Sequence, residues 1–256
     1  MKCYSFRLLF FIALMLSFSA SLYAQEKNES IIKINLPALV LKNFSFQYEK
    51  AINKKRSFAV AIRFRPQTGI PFQKAISDLF TDTTIRLDLA KMGNIGITPE
   101  YRFYLGKKGA LQGFYLGPFI SYNHYSGDAP INYWSYNLQT NQSIAKVAVF
   151  KGHINTYTAG LQVGAQWQLS NKLSLDWWIV GLNYGINKGD FKYRGALSPF
   201  EQITLNEVKL RPMKELLSSV LNVNLYEPAN ANGAAFGTSG QWFGFRAMGI
   251  NLGYRF

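Results

Sequence analysis

Residues 157–169 read YTAGLQVGAQWQL, and their pattern indicates the fold class. Every second residue, counted from Tyr157, is apolar, and the residues between them are Thr, Gly or Gln. Successive side chains of a β-strand point to opposite faces of the sheet. The stretch is therefore predicted to be a strand with one apolar face and one small, polar face.

The same period-two alternation returns along much of the chain. It is found at 44–48, 58–64, 95–105 and 114–122. It changes phase near Trp177 and Trp178, which predicts a β-bulge at that point. After the first 25 residues, no apolar run approaches the about 18 residues that a helical membrane span needs. The chain is thus predicted to be an all-β protein.

Short and long connections alternate between these strands. The short ones lie at 53–55, 106–109 and 170–172, and the long ones at 67–92, 127–150 and 187–239. Bacterial outer-membrane barrels have short periplasmic turns and long outer loops. The predicted strands are eight, at 30–36, 42–53, 56–66, 93–106, 111–126, 151–169, 172–187 and 240–256. The predicted fold is an eight-stranded antiparallel transmembrane β-barrel, whose lumen is just filled by side chains.

The long outer loops are predicted to carry short helices. Residues 207–222 place apolar side chains at near-helical spacing, and Arg211-Pro212 would start or kink that helix. A second short helix is predicted at 71–80. Because an apolar helix face must be covered, we expect these segments to form a structured cap.

The first 24 residues are predicted to be a cleavable export signal. Lys2 and Arg7 form a basic head, residues 8–16 form an apolar core too short to span a membrane, and Ala24 precedes the predicted cleavage site. The remainder, residues 25–256, is predicted to be one barrel domain. The single cysteine, Cys3, lies in the signal, and the chain has two histidines, so we expect neither a metal site nor a bound cofactor.

The composition argues against two other classes of protein. Charged residues and aromatic residues each make up 16% of the chain, which excludes a disordered polymer. The formal net charge of +14 is typical of nucleic-acid-binding proteins. However, much of that charge falls in the short turns, at Lys54, Lys55, Lys107, Lys108 and Lys172, so we expect no nucleic-acid partner.

The final residues carry a family resemblance. Ile250, Leu252, Tyr254 and Phe256 alternate up to a terminal phenylalanine, which resembles the C-terminal signature of bacterial outer-membrane proteins. The resemblance implies an assembly signal that the barrel-assembly machinery reads. It also implies an outer-membrane monomer surrounded by lipid and lipopolysaccharide. The layout resembles small OmpA/OmpX-type barrels and, more loosely, uncharacterised porin-like families.

A soluble lipocalin-like barrel holding a small apolar ligand is the alternative fold. Alternation alone does not say which face of a strand points outward. The polar face is rich in Gly, Gln and Thr, whereas a soluble exterior is rich in Lys and Glu. The pattern therefore favours the membrane barrel, with its polar face towards the lumen.

Several charged residues fall on the polar face and are predicted to lie inside the barrel. They are Glu49, Arg63, Glu100, Arg102 and Asp176, together with Arg65 and Arg255. A charge inside a narrow barrel must be paired or solvated. We predict an interior salt-bridge network; the alternative is a narrow ion path.

One spacing points to catalysis. His124-Tyr125-Ser126 resembles the His-x-Ser of outer-membrane lipid A deacylases, which implies His124 as general base and Ser126 as nucleophile. In that mechanism a carboxylate orients the histidine, and Asp128 is the nearest. Gly127 follows Ser126, and no Glu occurs between residues 101 and 200, which weakens the match. The alternative is an interfacial histidine beside aromatic residues.

The sequence predicts a location and a construction, not a specific activity. The first functional hypothesis is a structural or surface-interaction protein that acts through its outer loops. The second is an enzyme on lipid A or phospholipid that uses His124 and Ser126. The third is a narrow channel.

Overall fold

A computed structural model describes residues 29–73, 86, 88–137, 139–217 and 222–256. The predicted export signal lies outside these residues, as does most of the predicted helix at 71–80. The strands are β1 (Ser30–Asn35), β2 (Phe44–Asn53), β3 (Arg56–Gly69), β4 (Lys91–Tyr104), β5 (Gly113–Asn137), β6 (Gln142–Gln168), β7 (Leu173–Arg194), β8 (Asn222–Asn230) and β9 (Gly233–Arg255). The helices are α1 (Leu36–Val40), α2 (Pro199–Ile203), a π-helix (Thr204–Leu210) and α3 (Arg211–Leu217).

Eight of these strands form an antiparallel ring, which the pairing of β9 with β1 closes over residues 251–255 of β9. Strands β1 to β7 pair in chain order, β7 pairs with β9, and β9 pairs with β1 from Ile31 opposite Arg255 to Asn35 opposite Asn251. We call the end of the ring with the short turns its lower end. Strand β8 lies outside the ring and pairs with the upper part of β9. The predicted all-β class and its ring of eight strands are confirmed.

The lower half of the ring is apolar outside and polar inside. On β2, Phe46 is 50% exposed, whereas its neighbour Gln47 is 2% exposed. The same contrast separates Leu161, at 49%, from the fully buried Gln162 on β6. Large side chains therefore face outward, and the interior is lined with polar and charged groups.

The predicted β-bulge is confirmed in β7. Val163 of β6 pairs with Val180, but the next residue, Gly164, pairs with Trp178, so Ile179 is the extra residue. Strand β9 has a matching irregularity, because Trp178 pairs with Gly249 and Val180 with Ala247. The bulge reverses which residues of β7 and β9 face inward above this level.

The prediction of a long loop at 127–150 is wrong. Strands β5 and β6 stay paired up to Asn137 opposite Gln142, so this segment is the upper part of a long hairpin. Here the residues that face inward are apolar, such as Ile131 and Phe150, both at most 1% exposed. The polarity of the two faces therefore inverts above residue 128. For this reason the alternation seen in the lower ring, apolar outside and polar inside, did not predict these strands.

The prediction of a long loop at 187–239 is wrong in the same way. Strand β7 continues to Arg194, and β8 and the start of β9 form a hairpin within the segment. The helical part also begins earlier than predicted, at Pro199, and Arg211 marks the change from π-helix to α3. A capping box fixes its start: the side chains of Ser198 and Glu201 bind each other's backbone N–H groups.

These helices pack on the inverted upper part of the sheet and cover it. Leu205 and Leu210 of the π-helix are fully buried. Their apolar cluster includes Ile131, Tyr133, Ala148, Phe150, Leu197, Ala229, Ala234 and Phe236. Asn206 joins the π-helix to β8, because its amide donates to Ala229 O and accepts from Ala229 N. We call α2, the π-helix, α3 and the upper β5–β6 hairpin the cap.

Candidate functional site

A cluster of buried charges fills the ring near its lower end. Lys33 of β1 is at the centre of it, with a side chain that is 0% exposed. Its Nζ lies 2.6 Å from Asp176 Oδ2 and donates to Gln166 Oε1 at 2.8 Å. It also forms an ion pair with Glu49 of β2. One ammonium group therefore contacts two carboxylates on different strands.

Arg102 of β4 is the second cation of this cluster. Its Nε donates to Glu100 Oε1 at 2.8 Å, and its Nη1 donates to Asp176 Oδ2 at 2.8 Å. The same Nη1 lies 3.1 Å from Glu49 Oε2. The guanidinium group also lies over the ring of Tyr115, 4.2 Å from its centroid. We call Lys33, Glu49, Glu100, Arg102 and Asp176 the charge cluster.

Neutral donors add hydrogen bonds to the carboxylates of Glu49 and Asp176, whereas the buried Glu100 Oε2 has no hydrogen-bond partner among the described residues. Tyr104 donates to Glu49 Oε1 at 2.7 Å, and Tyr115 donates to Asp176 Oδ1 at 2.8 Å. Gly164 leaves the space that Tyr115 occupies, because an added Cβ would lie 2.3 Å from the Tyr115 hydroxyl oxygen. Satisfying the remaining lone pairs is what makes a buried ion pair tolerable.

The charge cluster and its neutral partners join all eight strands of the ring. Ser57 of β3 donates to Glu49, and Asn251 of β9 donates to the backbone oxygen of Asp176 at 3.2 Å. The participating side chains of β4, β5, β6 and β7 are fully buried or nearly so. At this level the cross-section of the ring is filled with side chains.

Four of the five residues predicted to form a lumen network are together in the charge cluster: Glu49, Glu100, Arg102 and Asp176. Arg63 lies elsewhere, beside Arg246 and Tyr125 in the upper interior. Arg65 donates to the backbone oxygen of Gly69 at 2.9 Å, and Arg255 pairs with Glu29. Sequence reasoning thus grouped residues that the structure separates.

The sequence prediction did not include two buried cations, Lys33 and Arg246, although the sequence pattern indicates that Lys33 faces inward. Lys33 stands between Ile32 and Ile34, which face outward, so period two places it inside. Arg246 falls on the outward face if positions are counted in twos from Phe256. The bulge between them reverses that phase, so Arg246 points inward with a side chain only 9% exposed.

The structure does not assemble the predicted catalytic group on β5. His124 Nδ1 is hydrogen-bonded to Asn155 Oδ1 at 2.8 Å, and its ring stacks on His153 with centroids 5.3 Å apart. Asp128 accepts a hydrogen bond from Gln67 Nε2 at 3.0 Å. Ser126 lies opposite His153 on β6. The histidine and the carboxylate therefore direct their hydrogen bonds to amides rather than to each other.

The described residues contain neither a group of metal-ligating side chains nor a helix that could span a membrane. Within residues 29–73, 86, 88–137, 139–217 and 222–256, no three or more His, Cys, Asp or Glu side chains are grouped to hold a metal ion. In the same ranges, no helix has the length and apolar character needed to cross a membrane.

Comparisons with known proteins give one family and one solved structure. The N-terminal β-barrel domain of OprF from Pseudomonas aeruginosa is similar at 9% identity, over 91% of this chain and 100% of that chain, with a TM-score of 0.27. A TM-score of this size supports no inference about fold or function. No curated protein matches the chain. The family described as "Protein of unknown function (DUF3575)" matches residues 8–197, and the chain belongs to that family.

Proposed function

We propose that this chain is an outer-membrane β-barrel of structural or surface-interaction type, which acts through its cap. The observation that carries the proposal is that the lower ring is polar inside and apolar outside. Lys33, Arg102 and Asp176 are buried inside it, whereas large apolar side chains are exposed outside it. Water-soluble proteins have the opposite arrangement.

The apolar exterior forms a belt around the strands. Among its members, Ile62 is 55% exposed, Ile120 is 60% exposed and Leu182 is 50% exposed. The belt also includes Ile32, Phe46, Phe58, Phe64, Ile95, Ile97, Phe114, Leu161, Tyr184, Phe245 and Leu252. Soluble monomers rarely expose contiguous apolar patches larger than a few hundred Å². A lipid bilayer covers such a belt, and in the lower ring, where β9 pairs with β1, strand pairing satisfies the backbone hydrogen bonds within it.

The two ends of the ring differ as the two sides of an outer membrane require. The short turns carry Lys54, Lys55, Lys107, Lys108 and Lys172, which support a position beside anionic phospholipid headgroups and the periplasm. The other end carries the cap, which supports a position outside the cell.

The cap has an exposed apolar surface that the belt does not explain. Ile203 is 62% exposed, Val208 is 52% exposed and Trp134 is 48% exposed. Phe200, 44% exposed, packs against Tyr136 with ring centroids 5.8 Å apart. Apolar side chains that stand in water on a rigid support are typical of interaction surfaces, which supports a surface-interaction role.

Lipid, lipopolysaccharide and the barrel-assembly machinery are the partners included in this proposal, for a monomeric protein. The outward residues Ile250, Leu252, Tyr254 and Phe256 are 37–61% exposed, so an assembly factor has access to all of them. The channel alternative lacks support, because the filled cross-section leaves no polar path at the level of the charge cluster. The enzyme alternative lacks support, because His124 and Asp128 bind amides.

Surface labelling of single cysteines tests the location and orientation. After export, the chain is expected to contain no cysteine, so Val208→Cys in the cap and Lys107→Cys in a short turn each give one reactive thiol. In intact cells, a membrane-impermeant maleimide should label V208C and leave K107C unlabelled until the outer membrane is opened. Recovery of both variants in a soluble fraction, or labelling of K107C alone, would contradict the proposal.

A further inference from the structure

The wall of the ring has a gap beside β9. Strand β9 pairs with β1 over residues 251–255 and with β8 over residues 233–239. In the part of the chain that the structure describes, the edge of residues 240–250 that faces away from β7 has no strand partner. The opposite side of the gap is formed by β3 above Phe64, where its pairing with β2 ends.

Helix α1 stands at the lower end of this gap. It follows β1 directly and contacts both β9 and β2. Asn35 caps it, accepting a hydrogen bond from Ala38 N at 2.9 Å. Because the chain turns into a helix instead of continuing β1, the wall stops here and a cavity of about 320 Å³ remains. Its lining includes Asn35, Ala38, Ser45, Arg63, Trp178 and Arg246.

Arg246 brings a buried, incompletely paired cation to this cavity. Its guanidinium group lies over the rings of Trp178 and Phe119, 4.3 Å and 4.8 Å from their centroids. Among the described residues, none of its three nitrogens has a hydrogen-bond partner. The nearest carboxylate oxygen, Glu100 Oε2, is 3.9 Å from Arg246 Nη1, beyond hydrogen-bond distance, and also lacks a hydrogen-bond partner, while Oε1 of the same carboxylate binds Arg102. Aromatic rings contact the flat face of the guanidinium, so its N–H groups are left for a ligand.

A second unpartnered donor lines the same cavity. The indole Nε1 of Trp178 is buried and has no hydrogen-bond partner among the described residues. Arg63 adds a second guanidinium group, which repels that of Arg246. From Lys33 up to Arg63, the described interior thus contains four cations, including Arg102 and Arg246, and three carboxylates. An excess buried positive charge favours binding of an anion.

We propose that this cavity binds the carboxylate of a single-chain amphiphile of the fatty-acid class, which enters through the gap between β9 and β3. A carboxylate accepts two parallel N–H bonds from an arginine, which matches the free N–H groups of Arg246. A volume of about 320 Å³ is at the small end of ligand sites and favours one chain over two. Phe64 and Phe245, 51% and 64% exposed, flank the gap and provide an apolar surface for the chain.

The route of entry rests on the proposed membrane location, but binding itself does not. The test is equilibrium binding of radiolabelled palmitate to the purified protein in a nonionic detergent. Palmityl alcohol, lysophosphatidic acid and acetate serve as competitors. Circular dichroism and heat-modifiable gel mobility show that each variant is folded. A protein that binds palmitate but resides elsewhere would refute only the location, and an outer-membrane protein that does not bind would refute only this site.

The variants test separately the positive charge of the cavity and its volume. Arg246→Gln and Arg63→Gln should each weaken palmitate binding at least tenfold, and Arg63→Lys should weaken it less because the charge remains. Ala38→Phe fills the cavity and should weaken binding at least tenfold. Val40→Phe adds bulk to the same helix at a position that is 79% exposed and should change binding less than twofold. If R246Q does not fold, R63Q and A38F still test whether the cavity binds palmitate.

Four results would overturn the proposal. Folded R63Q and A38F that bind palmitate as the wild type does would place the ligand elsewhere. Equal competition by palmityl alcohol would show that the carboxylate is not recognised. Tighter binding of lysophosphatidic acid would assign the site to a phosphate head instead. Equal competition by acetate would show that the chain contributes nothing.

Discussion

Lys33 and Asp176, which are 143 residues apart in the chain, form a buried ion pair of 2.6 Å inside the ring. Their strands, β1 and β7, are not neighbours, because β9 lies between them. Glu49 and Gln166 complete the surroundings of the same ammonium group. The pair therefore reports whether the ring has closed, since β1 meets β9 only in the finished sheet.

Replacing Lys33 by Met should destabilise the protein by about 3–5 kcal/mol, because removal of one partner leaves buried carboxylates uncompensated. Urea unfolding of the protein in detergent micelles measures this change. Lys192→Met is the matched control. Lys192 pairs with Asp190 at 3.2 Å on the surface, and such exposed pairs contribute about 0–1 kcal/mol. Equal losses for the two variants would show that the charge cluster contributes no more than a surface pair.

The filled cross-section predicts that the wild-type protein does not conduct ions. In planar bilayers we expect no steady conductance, because Arg102 and its partners occupy the ring at one level. Replacing Arg102 by Met should lower stability by about 3–5 kcal/mol, since Glu100 and Asp176 lose a buried partner. A steady wild-type conductance that Arg102→Met alters in ion selectivity would contradict this view. It would support the ion path instead.

The cap should loosen in acid because of Glu201. Burial opposes ionisation of this carboxyl, but hydrogen bonds from Lys146 and Ser198 outweigh it and lower its pKa to about 2. Since the pKa is lower in the folded state, the stabilisation is complete above about pH 4.5, the ordinary value, and is lost as the pH falls towards 2. The protection factors of the cap amides in hydrogen exchange, taken relative to the intrinsic exchange rate at pH 6 and at pH 2, measure this loss of stability.

Two substitutions control the acid experiment. Glu201→Gln should lower the protection of the cap amides at pH 6 and remove most of the difference in protection between the two pH values. Glu207→Gln removes a carboxylate that forms an exposed pair with Arg211, and it should change little. Equal pH dependence in the wild type and E201Q would mean that another group controls the cap.

Ser126→Ala should leave lipid A and phospholipids unchanged, because the hydrogen bonds of His124 and Asp128 go to amides. Mass spectrometry of lipids from cells that express the wild type or S126A makes the comparison. The loss of a deacylated species in S126A, and its loss again in His124→Asn, would restore the enzymatic hypothesis.

The sequence was sufficient for the lower ring and insufficient for the upper part. Alternation at 157–169 identifies a strand with two different faces, and the phase change near Trp178 identifies the bulge, because outward and interior residues differ in polarity there. Above Asp128 this contrast is reversed in the β5–β6 hairpin: the inward residues Ile131 and Phe150 are apolar and are covered by helices. The position of that cover depends on tertiary contacts between segments that are distant in the chain, which a local pattern does not record.

The interior site was predictable in type but not in membership. Period two predicts the inward position of Glu49, Arg102 and Asp176, and each is four residues from a short turn, so they are expected to lie at similar heights in the ring. The same rule misplaces Arg246, because one inserted residue reverses every later position. It gives no height for Arg63 relative to Glu100, since that depends on the stagger of the strands around the ring.

A comparison of Ile120→Arg with Val208→Arg tests whether the apolar belt faces lipid. The two residues are similarly exposed, at 60% and 52%, but Ile120 lies in the belt and Val208 in the cap. Folding equilibria in phospholipid vesicles should show a loss of about 2–4 kcal/mol for I120R, as for an arginine at the bilayer midplane, and a loss near zero for V208R. Equal, small losses for both variants would contradict the account, because they would show that water surrounds the belt as well as the cap.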